Sequence, residues 1–296
     1  MSTATAPSNA VPSAAPSVAP EIMDVGYGRQ FAAFYDRLFP QDGAAERTAE
    51  TLAGWHPGGR TLELGVGTGR IAVPVARRTG EVVGVDSSPE MLDQLRAAVA
   101  ESGAPVVPVH GDIRTYDDGT RYGLVYAVCA TLSLVLDAAG QRTAVARAAH
   151  HLAPGGTLVV ETHNPGLVHT LHEGRVRTSF FAPYPEPGTG LQTYSTLIPE
   201  RGLWHTSHLW HEAGGVRLGS EVNRLTMPEE VDAYAAEAGL VLVSRQGDWS
   251  GGAFVPDQSA VHISRYVRAD EQAAEQAADV VAEKAADVVA EQGERS

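Results

Sequence analysis

From Arg60 to Glu161 short, almost continuous apolar runs alternate with longer stretches of helical spacing, and this alternation constrains the fold more than any other feature of the chain. Arg60–Leu64, Glu81–Val85, Val106–His110, Tyr122–Cys129 and Thr157–Glu161 read as five strands. Ile71–Arg78, Ser88–Ser102 and Ala138–Leu152 read as helices; Pro89 stands early in the second, Gly103 follows it, and Pro154-Gly155-Gly156 stops the third. Strands without polar alternation are covered on both faces, so the expected fold is α/β, a doubly wound, mostly parallel sheet.

The pattern changes near Pro165. Leu191–Ile198, Leu203–His211 and Val216–Leu225 read as three strands joined by short glycine-containing links, which favours an antiparallel β insertion after the fifth strand. Thr226 and Glu229 make a T-x-x-E capping box for a helix running to about Ala238, with Gly239 at its C-terminal end. Leu240–Arg245 and Ala260–Val267 read as strands returning to the main sheet. The expected organisation is a disordered leader (1–22), a ligand-binding α/β domain (23–165), the insertion or substrate lid (166–225), a C-terminal helix with strands completing the sheet (226–268), and a low-complexity Ala/Glu-rich tail (269–296). In that tail AADVVAE occurs twice, at Ala277–Glu283 and Ala285–Glu291.

A formal net charge of −14 argues against a nucleic-acid backbone as the main partner, since phosphate binding needs basic surface. No run of about 18 apolar residues offers a membrane span. Cys129 is the sole cysteine, so neither an intramolecular disulfide nor a cysteine-rich metal site is expected, and a cytoplasmic setting follows.

The chemistry starts at the first strand-to-helix junction, Glu63-Leu64-Gly65-Val66-Gly67-Thr68-Gly69-Arg70. Glycines at a spacing of two let the backbone turn sharply and come close to a ligand at the carboxyl edge of the sheet. A dinucleotide fingerprint counted from Gly65 would place its third glycine at Arg70, which disfavours the pyrophosphate version. Asp86 and Ser87 follow the second strand, where an acid grips a ribose hydroxyl pair; N-capping of the next helix is the competing role. Gly111-Asp112-Ile113 follows the third, and Asp112 can accept a hydrogen bond from an adenine amino group or serve as a turn residue.

ELGVGTGR, VVGVDSSPEML, HGDI and LAPGGTLVVE, in this order, resemble the class I S-adenosylmethionine-dependent methyltransferase superfamily across about Phe31–Glu161, its small-molecule, natural-product branch. The resemblance implies a Rossmann-like methyltransferase fold with S-adenosyl-L-methionine as cofactor and S-adenosyl-L-homocysteine as product. It places the methionine part of the cofactor on Glu63, Gly65, Gly67 and Gly69, the ribose on Asp86, and the adenine on Asp112 with Ile113 beside it. Met91 matches a position that packs on the adenine, and Cys129–Ala130 one that faces the methionine end. Arg70, a cation in a first helical turn, has the cofactor carboxylate as an available partner or is a solvated arginine. Ala32-Ala33-Phe34-Tyr35-Asp36 resembles the A-x-x-Y-D segment of enzymes that include antibiotic amino-sugar N-methyltransferases, and there the tyrosine, here Tyr35, lies over the reacting methyl group. Phe31, Phe34, Tyr35 and Leu38 also share a helical stripe, which simple packing would explain. Where those enzymes have a histidine after the fourth strand, this chain departs, reading Ala130-Thr131-Leu132-Ser133-Leu134.

A methyl transfer to oxygen or nitrogen of a small metabolite, in secondary metabolism, is therefore expected, with C-methylation or a non-methyl reaction on the same cofactor as alternatives. His163 and Tyr35 are the candidate catalytic residues. His163, Asn164, Trp204, His208, Trp210 and Trp249 are the candidate substrate contacts, because alternation along Leu203–His211 gathers Trp204, Thr206, His208 and Trp210 on one face. The same alternation separates His208 from His205 and His211, so no metal site is expected. The expected partner is a small-molecule substrate, with the chain a monomer or homodimer.

Overall fold

The structure is a computed structural model and describes residues 26–39 and 42–269. The leader expected at 1–22 lies outside the described residues, as does the tail expected at 269–296 apart from Ala269.

Two short helices, α1 (Tyr27–Phe31) and α2 (Tyr35–Leu38), precede α3 (Gly43–Gly54). The alternating unit then runs β1 (Thr61–Leu64), α4 (Ala72–Thr79), β2 (Val82–Asp86), α5 (Pro89–Ser102), β3 (Val106–His110), β4 (Tyr122–Ala127), α6 (Ala138–His150) and β5 (Leu152–His163). After β5 come α7 (Pro165–His172) and the strands β6 (Arg177–Pro183), β7 (Gly190–Ile198), β8 (Leu203–Glu212) and β9 (Gly215–Arg224). The described chain closes with α8 (Pro228–Glu237), β10 (Leu240–Gln246) and β11 (Val261–Arg268).

The main sheet has seven strands in the order β10-β11-β5-β4-β1-β2-β3, parallel from β5 to β3, with β11 antiparallel to β5 and to β10. Both faces are covered, as the continuous apolar runs require. Leu62, Leu64, Val83 and Leu158 pack with Ala144, Ala148, Val231 and Ala235 of α6 and α8. On the other face Val82, Leu124 and Tyr126 pack with Leu52, Val75, Leu92 and Leu95 of α3, α4 and α5. Helix starts are fixed locally: Asp42 accepts from the Ala44 and Ala45 amides, and the Ser88 hydroxyl from Met91, with Pro89 in the first turn.

The antiparallel insertion is present, and it has four strands, β6-β7-β8-β9, where the sequence yields three. The missing one is the edge strand β6, whose residues are nearly all exposed, so no inward/outward alternation marks it. Helix α7, capped by Asn164 with Pro165 behind it, is likewise unmarked. Pro154-Gly155-Gly156 does not end the helix and start a separate strand. Tyr122 pairs with Leu152 and Leu124 with Thr157, so β5 begins at Leu152 and residues 153–156 bulge out of the ladder. The capping box of α8 lies one residue later than expected: the Met227 amide donates to Glu230 (2.9 Å), while the Thr226 hydroxyl donates to Gln141 (2.8 Å). Phe31 and Phe34 do not lie on one continuous helix with Tyr35 and Leu38, because the chain turns between α1 and α2. Phe31, Phe34, Met91 and Trp210 form one buried cluster, and the Ser220 amide donates to Gln30 (2.9 Å); together they fasten the insertion to α1 and α5.

Candidate active site

A cavity of about 580 Å³ opens at the carboxyl ends of the central strands, where β1 and β4 adjoin and the strand order reverses. Gly65 and Gly67, with φ of 78° and 55°, line it. A Cβ at Gly65 would run into Thr131, whereas one at Gly67 would point into empty space. Gly69 (φ 87°) packs against Leu95 instead, and Gly111 against Val85, so these two shape the loops from behind.

Asp86 stands at the end of β2 on the cavity wall, with Ser87 beside it. Its carboxylate accepts the Gly67 amide (2.8 Å) and the Ser88 amide (2.9 Å), tying the glycine loop to the start of α5. Met91 and Ile113 line the same region. Asp112 does too, and its carboxylate takes the Arg114 guanidinium in a two-pronged pair (2.9 and 2.5 Å) that the sequence reading did not foresee. Glu63 does not reach the cavity. It is 2% exposed behind the loop, accepts the Tyr126 hydroxyl (2.8 Å), and burial pushes its carboxyl up to about 8.

Arg70 lies on the cavity beside Tyr35 and donates to the Cys129 sulfur (2.9 Å), while its Nε is buried without a hydrogen-bond partner among the described residues. Cys129 and Ala130 both adopt left-handed backbone (φ 54° and 58°), a conformation costly for residues other than glycine. Desolvation in the cleft, with the neighbouring Glu161, pushes the Cys129 thiol up to about 12 although its side chain faces the cavity, and desolvation also holds the half-buried Tyr35 phenol well above its ordinary value. Both are protonated near neutrality. Tyr27, stacked on Phe31 at 4.5 Å, adds a second tyrosine to this wall.

The opposite wall comes from the end of β5, the loop after β10, and β9 of the insertion. Glu161 accepts the Cys129 amide (2.9 Å) and the Trp249 indole N–H (3.2 Å), and burial raises its pKa. His163 stands edge-on to Trp204 (5.0 Å between rings, 88° between planes), and neither of its ring nitrogens has a hydrogen-bond partner among the described residues. Burial lowers its pKa, against the pull of Glu221, so the ring is neutral near pH 7. Glu221 lines the cavity, and its Oε1 accepts the Thr206 hydroxyl (3.1 Å) and faces His208 Nε2 (3.4 Å).

Not every expected contact reaches this space. Asn164 is 2% exposed and spends its amide on the Pro256 and Ser259 carbonyls (2.5 and 2.7 Å), so it is a structural cap. Trp210 lies against Phe34 at 5.5 Å and under Arg37, away from the cavity. It shares a face with Trp204, but six residues along a strand cover roughly 20 Å, more than one pocket spans. Trp204 touches His163 from behind, and His208 backs Glu221. Tyr27, Glu161, Glu221 and Asn223 line the cavity without having been singled out. Glu161 carried a signal as the last residue of the fifth apolar run; Glu221 and Asn223 had none, because only the pairing of β9 with β8 brings them there.

A methyltransferase-domain family profile matches residues 61–156. Among solved structures, the CcbJ methyltransferase from Streptomyces caelestis is 34% identical, with a TM-score of 0.73, over 82% of this chain and 98% of that one. This chain belongs to the S-adenosylmethionine-dependent methyltransferases. CalS10, an amino pentose methyltransferase from Micromonospora echinaspora solved with S-adenosylmethionine bound, is 26% identical over 79% of this methyltransferase and 94% of its own chain, with a TM-score of 0.59. A curated dTDP-4-amino-2,3,4,6-tetradeoxy-D-glucose N,N-dimethyltransferase from Saccharopolyspora spinosa is 31% identical over 101 residues, and the match spans 39% of its length. The cofactor of this methyltransferase is S-adenosylmethionine, and the cavity suits it: the Gly67 backbone leaves room that a Cβ would fill, and the buried Arg70 Nε lacks an acceptor among the described residues. Among the described residues no helix is long and apolar enough to cross a membrane.

Proposed function

We propose that this methyltransferase methylates a nitrogen of an amine-bearing small molecule. In this reading Gly65, Gly67 and Arg70 hold the methionine part of the cofactor, Asp86 with Ser87 the ribose, and Asp112, Ile113 and Met91 the adenine. When bound, S-adenosylmethionine supplies an already activated methyl carbon. What remains for the protein is alignment, exclusion of water and care of one proton. Tyr27 and Tyr35 cover the cavity beside Arg70. An ammonium approaching the wall formed by Glu161, His163 and Glu221 meets carboxyl groups that attract its charge and a neutral imidazole that takes its proton, leaving the nitrogen lone pair free.

One observation carries the reading: His163 lines the cavity as a neutral imidazole with both nitrogens unengaged among the described residues. Tyr35 and Cys129 on the cavity wall are too weakly acidic to act as bases near neutrality. The names of the amino pentose and amino-sugar methyltransferases it resembles point the same way. The test uses methyl-labelled S-adenosylmethionine with matched acceptors, an amino sugar and the same sugar bearing a hydroxyl in place of the amine. Label is expected on nitrogen alone. Label on oxygen across the matched pairs would overturn the nitrogen assignment, and a turned-over cofactor with no labelled product would overturn methyl transfer itself.

A further inference from the structure

The base proposed above stands on the main sheet, yet the charge nearest it arrives from the insertion. Thr206 of β8 and Glu221 of β9 are cross-strand partners, as are Trp204 and Asn223, and these side chains share the inner face of the insertion. Trp204 presses edge-on against His163, which brings that face onto the end of β5. Glu221 is braced at Oε1, which accepts the Thr206 hydroxyl and meets His208 Nε2, and the Asn223 side chain stands beside its carboxylate. His208 is itself anchored to the Thr193 hydroxyl (3.0 Å) and is 23% exposed, so it connects Glu221 to the outside of the lid.

We infer that Glu221 is a positioning residue for His163: its carboxylate, braced by Thr206 and His208, stabilises the imidazolium that forms when His163 takes the acceptor's proton. In that step the acceptor N–H bond breaks, the proton moves to a ring nitrogen of His163, and the electron pair stays on the acceptor nitrogen. Glu221 remains ionised throughout. Burial opposes its charge, but the His208 hydrogen bond and the His163 and His208 rings outweigh burial and keep its pKa below the ordinary value. Two other titratable groups stand near His163. Glu161, two residues back on the same face of β5, is engaged by the Cys129 amide and the Trp249 indole and has its pKa raised by burial. His262 of β11 is held neutral by burial with a pKa of about 4. Glu221 is therefore the anion available to a new cation at His163. The insertion on this view supplies part of the proton-handling machinery as well as covering it.

The inference rests on His163 being the proton acceptor, and its test reads the imidazole without turnover. In protein with ¹³C-labelled histidine, the His163 ring signal, assigned by its loss in His163→Gln, is followed through a pH titration. Glu221→Gln is expected to lower its midpoint by about one unit, roughly the size of a nearby opposite charge, while the His110 and His169 midpoints stay put. Glu221→Asp, which keeps the charge but shortens its reach, should give a smaller shift in the same direction and serves if the first variant does not fold. An unmoved His163 midpoint in a folded Glu221 variant overturns the coupling and leaves the function untouched. Full turnover in His163→Ala, whatever the titration shows, overturns the acceptor role instead.

Discussion

The two walls of the cavity are made in different ways. The wall at β1, β2 and β3 is built from backbone turns and short-range capping: Gly65, Gly67, Asp86, Ser87, Asp112 and Ile113 lie within a residue or a few of a strand end. Asp86 reaches both the glycine loop and the start of α5 through backbone amides. The wall at β5 is built from side chains brought from far apart, with His163 meeting Trp204 and Glu161 bonding Trp249 88 residues on. Wherever backbone does the binding, sequence spacing is enough to locate it; wherever side chains converge across elements, it is not. In the proposed reading the difference also separates tasks, with a common cofactor on one wall and a particular acceptor on the other.

The largest effect that would sharpen this division is expected at His163. His163→Ala should lower turnover by about 10²–10⁴, the range for an essential general base, with S-adenosylhomocysteine affinity intact by calorimetry. Because burial sets the His163 pKa below its ordinary value, wild-type activity should fall on the acid side only below that value, as the ring charges and ceases to accept a proton. A variant with unchanged turnover would leave alignment as the sole contribution of this wall.

Asp86→Ala should act in the opposite sense. Loss of a charged hydrogen-bond acceptor is worth about 1.5–3 kcal/mol, so S-adenosylhomocysteine should bind roughly ten- to a hundred-fold more weakly. Cofactor affinity at the wild-type level would remove Asp86 from the ribose and break the comparison on its better-marked side.

Glu63 offers a test through stability. Its folded-state pKa of about 8 lies above the ordinary carboxyl value of 4.5, so its contribution is complete below pH 4.5 and is lost as pH rises through 8. His262, depressed from 6.5 to about 4, works the other way, losing stability as pH falls below 6.5, and so leaves the upper window clear. Between pH 6.5 and 8 Glu63→Gln should flatten a loss of about 2 kcal/mol, read from urea midpoints of the cofactor-free protein. Parallel pH profiles for variant and wild type would show that the Glu63 carboxyl is already ionised in the fold.

The smallest effect concerns the insertion. Trp204→Ala should raise the acceptor KM several-fold, by about 1 kcal/mol for a lost ring contact, without changing cofactor affinity. Comparable losses for both ligands would make Trp204 a support of the whole cavity and blur the two walls into one.

How much of this was legible follows the same line. The five parallel strands, the glycine loop and the acids at residues 86 and 112 could be read directly, because each rests on local spacing, whereas the order of the strands in the sheet is a long-range property. Edge strand β6 could not, since exposure on nearly every residue erases the period-two pattern. Arg114 lies only two residues from Asp112, yet their pairing is unmarked in the sequence, which does not tell which way an arginine folds back. Trp204 and Trp210 share a strand face as alternation requires, but one abuts His163 and the other is buried beneath α1 and α2.

By itself, then, the sequence determined the doubly wound sheet, the cofactor class and most of the residues on the backbone-built wall, Glu63, Gly69 and Gly111 standing behind it. Helix and strand periodicity, capping and glycine conformation are properties of a few consecutive residues, and no distant contact is needed to express them. The tertiary structure alone decided that Glu221 and Asn223 enter the cavity, that Asn164 and Trp210 do not, and that His163 is left with its nitrogens unengaged among the described residues. Those outcomes depend on the register of β9 on β8 and on how the insertion docks against α1 and β5, and such long-range packing is set by the whole surface that is buried, which no local pattern records.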